Sequence, residues 1–236
     1  MKKNILFGAL VLMAGSLMAA DSSPKDDITA AAKKLAGDSY SWTQTLDLGP
    51  NSQFTPGPTE GKADKDGTTW LSSTFQDNTS IGLAKDKKVV VKTEDGWKTS
   101  EEIGGGGGGG GFNPNTYMAR RMQNLKAPAT EVQDLVSKAG EIKKDGDAYS
   151  GDLTEEGAKS VLAMGFRRNN TPPTDAKGSV KFWIKDGALT KYQTKVSGKV
   201  EFNGESRDME RTTTIEIKDV GKTKIEVPDD AKKKLS

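Results

Sequence analysis

Residues 180–217 read VKFWIKDGALTKYQTKVSGKVEFNGESRDMERTTTIEI, and this stretch decides the fold. Val180, Phe182 and Ile184 recur at every second position up to Asp186-Gly187. Tyr192, Thr194, Val196, Val200 and Phe202 do the same up to Asn203-Gly204, and Met209, Thr213, Ile215 and Ile217 precede Gly221. A period of two puts these side chains on one face of a strand. Asp-Gly and Asn-Gly are the pairs that best accept the positive φ angles of primed hairpin turns. The stretch is therefore a meander of long antiparallel strands, apolar on one face and polar on the other, with Ile225-Glu226-Val227 ending it at Pro228. Such a sheet leaves water on one side and needs helices on the other. Trp183 alternates opposite to Phe182 and is expected to face solvent or a partner.

The same grammar holds upstream. Ala30, Ala31, Ala32 and Leu35, stopped by Gly37, predict a first helix over 27–37. Tyr40, Trp42, Gln44, Leu46 and Leu48 then alternate with Ser41, Thr43, Thr45 and Asp47 as a half-buried strand. After a loop through Pro50, Pro56 and Pro58, Thr59–Lys65 reads as a polar edge strand turned at Asp66-Gly67 into Thr68–Gln76. Hairpins follow over Ile81–Ala84 with Val89–Thr93 and through Asp95-Gly96 to Trp97. Two helices are expected mid-chain. Thr116–Lys126 carries Met118, Met122 and Leu125; Pro128–Ala139 carries Val132, Leu135 and Val136 and stops at Gly140. A hairpin over Ile142–Leu153, a short helix from Thr154 to Met164 ended by Gly165, and a loop over 167–178 lead into the meander. Gly104–Gly111 is an unbroken glycine run, expected as a flexible loop that tolerates lengthening rather than a hinge. No Lys-Ser/Thr follows it, so it is no phosphate cradle.

Composition removes most enzyme designs. The 236 residues contain no His and no Cys, which excludes Ser-His and Cys-His nucleophile pairs, imidazole and thiolate metal sites, and disulfides. Lys2 and Lys3, the apolar run Ile5–Met13 and the small residues Ala14, Gly15, Ser16, Ala19 and Ala20 form a cleavable secretory signal over residues 1–20. Ser16 stands where a lipobox needs cysteine, so no lipid anchor is expected. Without that signal Lys+Arg falls from 35 to 33 against Asp+Glu 33, a neutral balance that lacks the signature of a nucleic-acid binder. No later stretch is a transmembrane helix, and residues 21–236 are expected to form a single domain.

Carboxylate pairs at Asp26-Asp27, Glu101-Glu102, Glu155-Glu156 and Asp229-Asp230 sit at expected helix starts or loops, where they favour the helix dipole rather than acid–base work. Asp64–Asp66 and Asp145–Asp147 lack the remaining ligands of a calcium loop. Lys232–Lys234 reads as a solvated tail. Aromatic and Met residues on facing elements suggest instead an apolar pocket: Trp42, Leu46, Trp70, Phe75, Trp97, Met118, Met122, Met164 and Phe182 are the candidate lining residues. Ordinary core packing is the competing reading for each of them.

The order of elements resembles the LolA/LolB-like superfamily of periplasmic lipoprotein and lipid carriers, including its LppX-type members. The likeness rests on the alanine-rich helix running into Tyr40-Ser41-Trp42-Thr43, on Asp95-Gly96-Trp97-Lys98, and on Ile225 to Ala231. The resemblance implies an α+β fold, a large curved antiparallel sheet forming an unclosed half-barrel, with helices packed on the concave face over acyl chains. Arg120-Arg121 and Arg167-Arg168 fall in lid-like segments but match no family motif. Together these readings predict an exported, periplasmic or secreted, monomeric, non-enzymatic carrier for a hydrophobic ligand, a lipid or acyl chain, with no cofactor and no metal. The alternative is an envelope protein-interaction or scaffold domain with a filled core; a carboxylate-dependent glycosidase is a third reading.

Overall fold

The computed structural model describes residues 22–50, 52, 56–75, 78–104, 113–164, 171–202 and 204–236, with Phe75 and Phe202 described by backbone alone. Residues 1–20, expected to be a secretory signal, the glycine run beyond Gly104, Gly165 and Arg167-Arg168 lie outside these residues.

Helix α1 (Pro24–Ala36) begins at Ser23, whose Oγ accepts the Asp26 amide N–H at 3.2 Å. Its buried residues Ile28, Ala31, Ala32 and Leu35 fall at i, i+3, i+4 and i+7, one stripe of a 3.6-residue helix. Then come β1 (Tyr40–Asp47), β2 (Thr59–Ala63), β3 (Thr69–Phe75), β4 (Asn78–Lys85), β5 (Lys88–Thr93) and β6 (Gly96–Thr99). Helices α2 (Ser100–Gly104), α3 (Pro114–Gln123) and α4 (Pro128–Lys138) follow, then β7 (Ala139–Asp145), β8 (Ala148–Leu153) and α5 (Glu155–Ala163). The chain closes with β9 (Thr174–Lys185), β10 (Ala188–Phe202), β11 (Glu205–Lys218) and α6 (Asp229–Leu235).

Among the described residues the eleven strands form one antiparallel sheet in the order β6-β5-β4-β3-β2-β1-β11-β10-β9-β8-β7. It is an unclosed half-barrel. The first half of the chain winds outward from β1 to one edge; the second winds inward from the other edge to β11. The halves join where β1 pairs with β11, from Ser41↔Lys218 to Asp47↔Thr212. Since β6 and β7 are the opposite edges, the chain crosses the sheet between them, and α3 and α4 pack against its concave side.

Cross-strand pairing sets the inward face: Trp42 opposes Ile217, Ile215 opposes Tyr192, and Tyr192 opposes Phe182. These side chains pack with α1, α3, α4 and α5 in one core cluster. Glycines on this face let the layers approach. A Cβ on Gly61 would lie 2.1 Å from the Trp42 ring, and one on Gly82 would lie 2.6 Å from Met122 Cγ. Turn chemistry is as the dipeptides suggest at Asp186-Gly187, where both residues have positive φ (52° and 69°).

Five expectations are corrected. Thr59–Lys65 is not at an edge: β2 pairs with β1 on one side and β3 on the other. The segment assigned to a loop over 167–178 is already strand from Thr174, because Ala176 is buried and Lys177 pairs with Ser197. Gly140 does not stop α4; the chain turns straight into β7 at Ala139, where φ and ψ are extended. Ile225-Glu226-Val227 joins no ladder. Instead Ile225 and Val227, with Ala231 and Leu235 of α6, cover Trp70, Leu83, Val90 and Trp97 on the outer face. Lys232–Lys234 is thus part of a docked helix, with Lys234 Nζ 2.6 Å from Glu102, and the outer face is only partly open to water. The four acidic pairs all stand in first helical turns, those of α1, α2, α5 and α6. Trp183 lies on the outer face under Lys181 and Lys191, whose Nζ atoms sit 5.3 and 5.2 Å from its ring.

Candidate functional site

A cavity of about 500 Å³ lies on the concave side where the two halves of the sheet meet. Its floor is β1 (Gln44, Leu46), β11 (Met209, Arg211, Thr213) and Thr194 of β10. The β2–β3 side adds Thr59 and Ser73, and the roof is Tyr117 and Arg121 of α3, Glu131 of α4, and Val161 and Leu162 of α5 with Met164 just beyond it. Leu48 and Met209 also line a larger and more open polar groove beside it, which holds Asp175, Lys177, Asp208 and Glu210. The concave cavity is the better candidate site because helices roof it and its lining combines apolar side chains with charged ones.

Three ionisable side chains face this space. Arg121 donates from Nη1 to Ser73 Oγ at 3.1 Å and from Nη2 to Gln44 Oε1 at 3.2 Å, so α3 is tied to β1 and β3. Arg211 donates from Nη2 to the Val161 carbonyl at 2.6 Å, near the C-terminal end of α5. Its Nε is buried and has no hydrogen-bond partner among the described residues. Glu131 accepts a hydrogen bond from the Tyr192 hydroxyl at 2.5 Å. All three are partly buried and border the cavity. Burial lowers the pKa of both guanidinium groups below the usual arginine value. Burial raises the Glu131 carboxyl, against the opposing pull of the Tyr192 hydroxyl and of Arg211. The Tyr192 hydroxyl is itself raised well above its ordinary value, by burial first and the Glu131 charge next.

The structure divides the candidate lining residues into three groups. Leu46 and Met164 line the cavity, Met164 with 39% of its surface exposed. Trp42, Met118, Met122 and Phe182 are packed into the core, Trp42 with its ring 5.8 Å from Tyr40 and Phe182 stacked on Tyr192 at 6.4 Å. Trp70 and Trp97 are on the outer face under α6. The Phe75 side chain lies outside the described residues. The sequence held a signal for the polar wall. Gln44 stands in the inward alternation of β1, and Arg211 stands between Met209 and Thr213 in that of β11. A charge on the buried phase of a strand is the unusual feature, and it marks the site better than the aromatic residues do.

No helix among the described residues is long and apolar enough to cross a membrane. No group of three or more acidic side chains among them is placed to hold a metal ion. No family model matches the sequence, and no curated protein matches it. Solved structures similar to this chain include the lipoprotein LppX of Mycobacterium tuberculosis, at 10% identity and a TM-score of 0.47, covering 87% of this chain and 98% of that one. LprF from Mycobacterium bovis has 10% identity and a TM-score of 0.45 over 87% and 96% of the two chains. The LolA superfamily protein NE2245 from Nitrosomonas europaea has 10% identity and a TM-score of 0.34 over 89% and 96%.

Proposed function

We propose that residues 21–236, freed of the exported signal, form one monomeric, non-enzymatic binding domain that shelters a hydrophobic ligand, a lipid or acyl chain, in the cell envelope. The observation that carries this reading is the roofed cavity of about 500 Å³ at the β1–β11 seam. That volume falls within the roughly 300–1,000 Å³ of small-ligand sites, and its walls pair apolar side chains with a few polar groups, as such sites do. Leu46, Leu48, Val161, Leu162, Met164 and Met209 supply the apolar wall, with two adaptable methionines among them.

The mechanism is burial without covalent chemistry. Removing about 300 Å² of acyl surface from water is worth on the order of 7 kcal/mol gross, before ordering costs. Those costs leave a reversible hold, suited to carriage and release. A scaffold domain with a filled core leaves the cavity unexplained. Native mass spectrometry and organic extraction of the purified protein test the proposal: a bound acyl species supports it. A protein that arrives empty and leaves the emission of an acyl-fluorophore unchanged overturns it.

A further inference from the structure

The cavity is short of negative charge. Arg121 and Arg211 both border it, and neither forms an ion pair among the described residues. Their acceptors are all neutral: a hydroxyl, a side-chain amide oxygen and a backbone carbonyl. A guanidinium carries five N–H donors, more than these acceptors satisfy, and the Arg211 Nε has no partner among the described residues. Among the described residues Glu131 is the one carboxylate on the cavity wall, and it is bonded to the Tyr192 hydroxyl. Even fully ionised, it cancels one of the two cations. Buried charges are ordinarily paired, because an unpaired ion away from water is costly. The wall formed by Leu46, Leu48, Val161, Leu162, Met164 and Met209 is apolar. One chamber therefore offers apolar side chains and two guanidinium groups on its lining.

We infer that the ligand is an anionic amphiphile, whose carboxylate or phosphate head lies against Arg121 and Arg211 while its chain lies along the apolar wall. This rests on the binding-protein reading and narrows it to a ligand class. Planar, forked guanidinium donors suit both head groups, since each presents paired oxygens.

The test uses the full mature protein, delipidated, and isothermal titration with three twelve-carbon probes: dodecanoic acid, dodecyl phosphate and dodecanol. One or both anionic probes should bind at least about tenfold tighter than dodecanol, since charge-assisted hydrogen bonds exceed neutral ones by that order. Which anion binds more tightly tells a fatty-acid source from a phosphorylated one. Arg211→Gln should sharply reduce the preference for the anions over dodecanol, and Arg211→Lys should keep more of it; an undiminished preference in Arg211→Gln overturns the role given to Arg211. Dodecanol binding as tightly as both anions overturns this inference and leaves the hydrophobic-ligand reading standing. Failure of all three probes overturns both. The wild-type comparison stands even if a variant fails to fold.

Discussion

The Arg121 guanidinium donates to Gln44 Oε1 at 3.2 Å and so pins helix α3 to the strand at the centre of the sheet. The chain arrives at α3 from the far edge of the sheet, and this bond, together with one to Ser73 Oγ, ties the helix over the cavity floor. Gln44→Leu leaves a deeply placed guanidinium with one of those two acceptors. The expected loss is about 1–3 kcal/mol in urea unfolding, the cost of an unsatisfied buried donor. Amide exchange along Met118–Met122 should quicken at the same time. Unchanged exchange there would show that the pin is energetically idle.

Two glycines separate close packing from turn geometry. A Cβ at Gly61 meets the Trp42 ring at 2.1 Å, whereas Gly67, at φ +86°, has nothing within 4 Å. Gly61→Ala should cost about 3 kcal/mol through overpacking, and Gly67→Ala about 1 kcal/mol through backbone strain alone. Denaturant midpoints of the two variants give the ranking, and equal losses would contradict it.

Glu131 sets a pH dependence of definite sign. Its carboxyl pKa is raised by burial, so the folded state holds this proton more tightly than the unfolded chain does. The stabilisation is complete below the ordinary value of 4.5 and is lost as pH rises through the raised one. Glu131→Gln keeps an acceptor for the Tyr192 hydroxyl and removes the charge. Relative to wild type, the variant should gain stability from pH 4 to pH 7. Parallel stability curves would refute the assignment.

Helix α6 is expected to act as a cover for two tryptophans. Leu235 packs with Ala231, Leu83 and Val90 beside Trp70 and Trp97. Leu235→Ala should cost about 2–3 kcal/mol, the lower part of the range for buried leucines, because the site lies at a helix end. Ending the chain at Pro228 should shift tryptophan emission to the red, and an unshifted spectrum would mean that the outer face is shielded in another way.

Much of the fold was legible because one-sided strands leave a period of two and turns leave Asp-Gly or Asn-Gly. Tyr40 through Leu46 shows both the strength and the limit of that signal: the alternation is visible, while the neighbours of each inward residue are set by pairing across the sheet. Trp42 and Leu46 share a strand face, yet Trp42 closes on Gly61 and Leu46 borders a void. Trp70 and Trp97 look like cavity residues by type, but register puts them on the other face. Helix α6 was missed because three consecutive lysines mask a stripe made by Ala231 and Leu235 with Ile225 and Val227 from the preceding segment. Arg211 was passed over because its apolar neighbours in β11 made a complete strand pattern without it.

The β1–β11 seam joins residues as far apart in the chain as Ser41 and Lys218. Every other strand pairing, within either half, links consecutive strands. Loop-closure entropy therefore delays the seam until both meanders exist, and long-range pairing is the slow step in sheet folding. Gln44 and Leu46 come from one side of that join and Arg211 and Thr213 from the other. A chain whose last strand has not yet docked thus has only half of the cavity floor, and the chamber is complete only when β11 is in place.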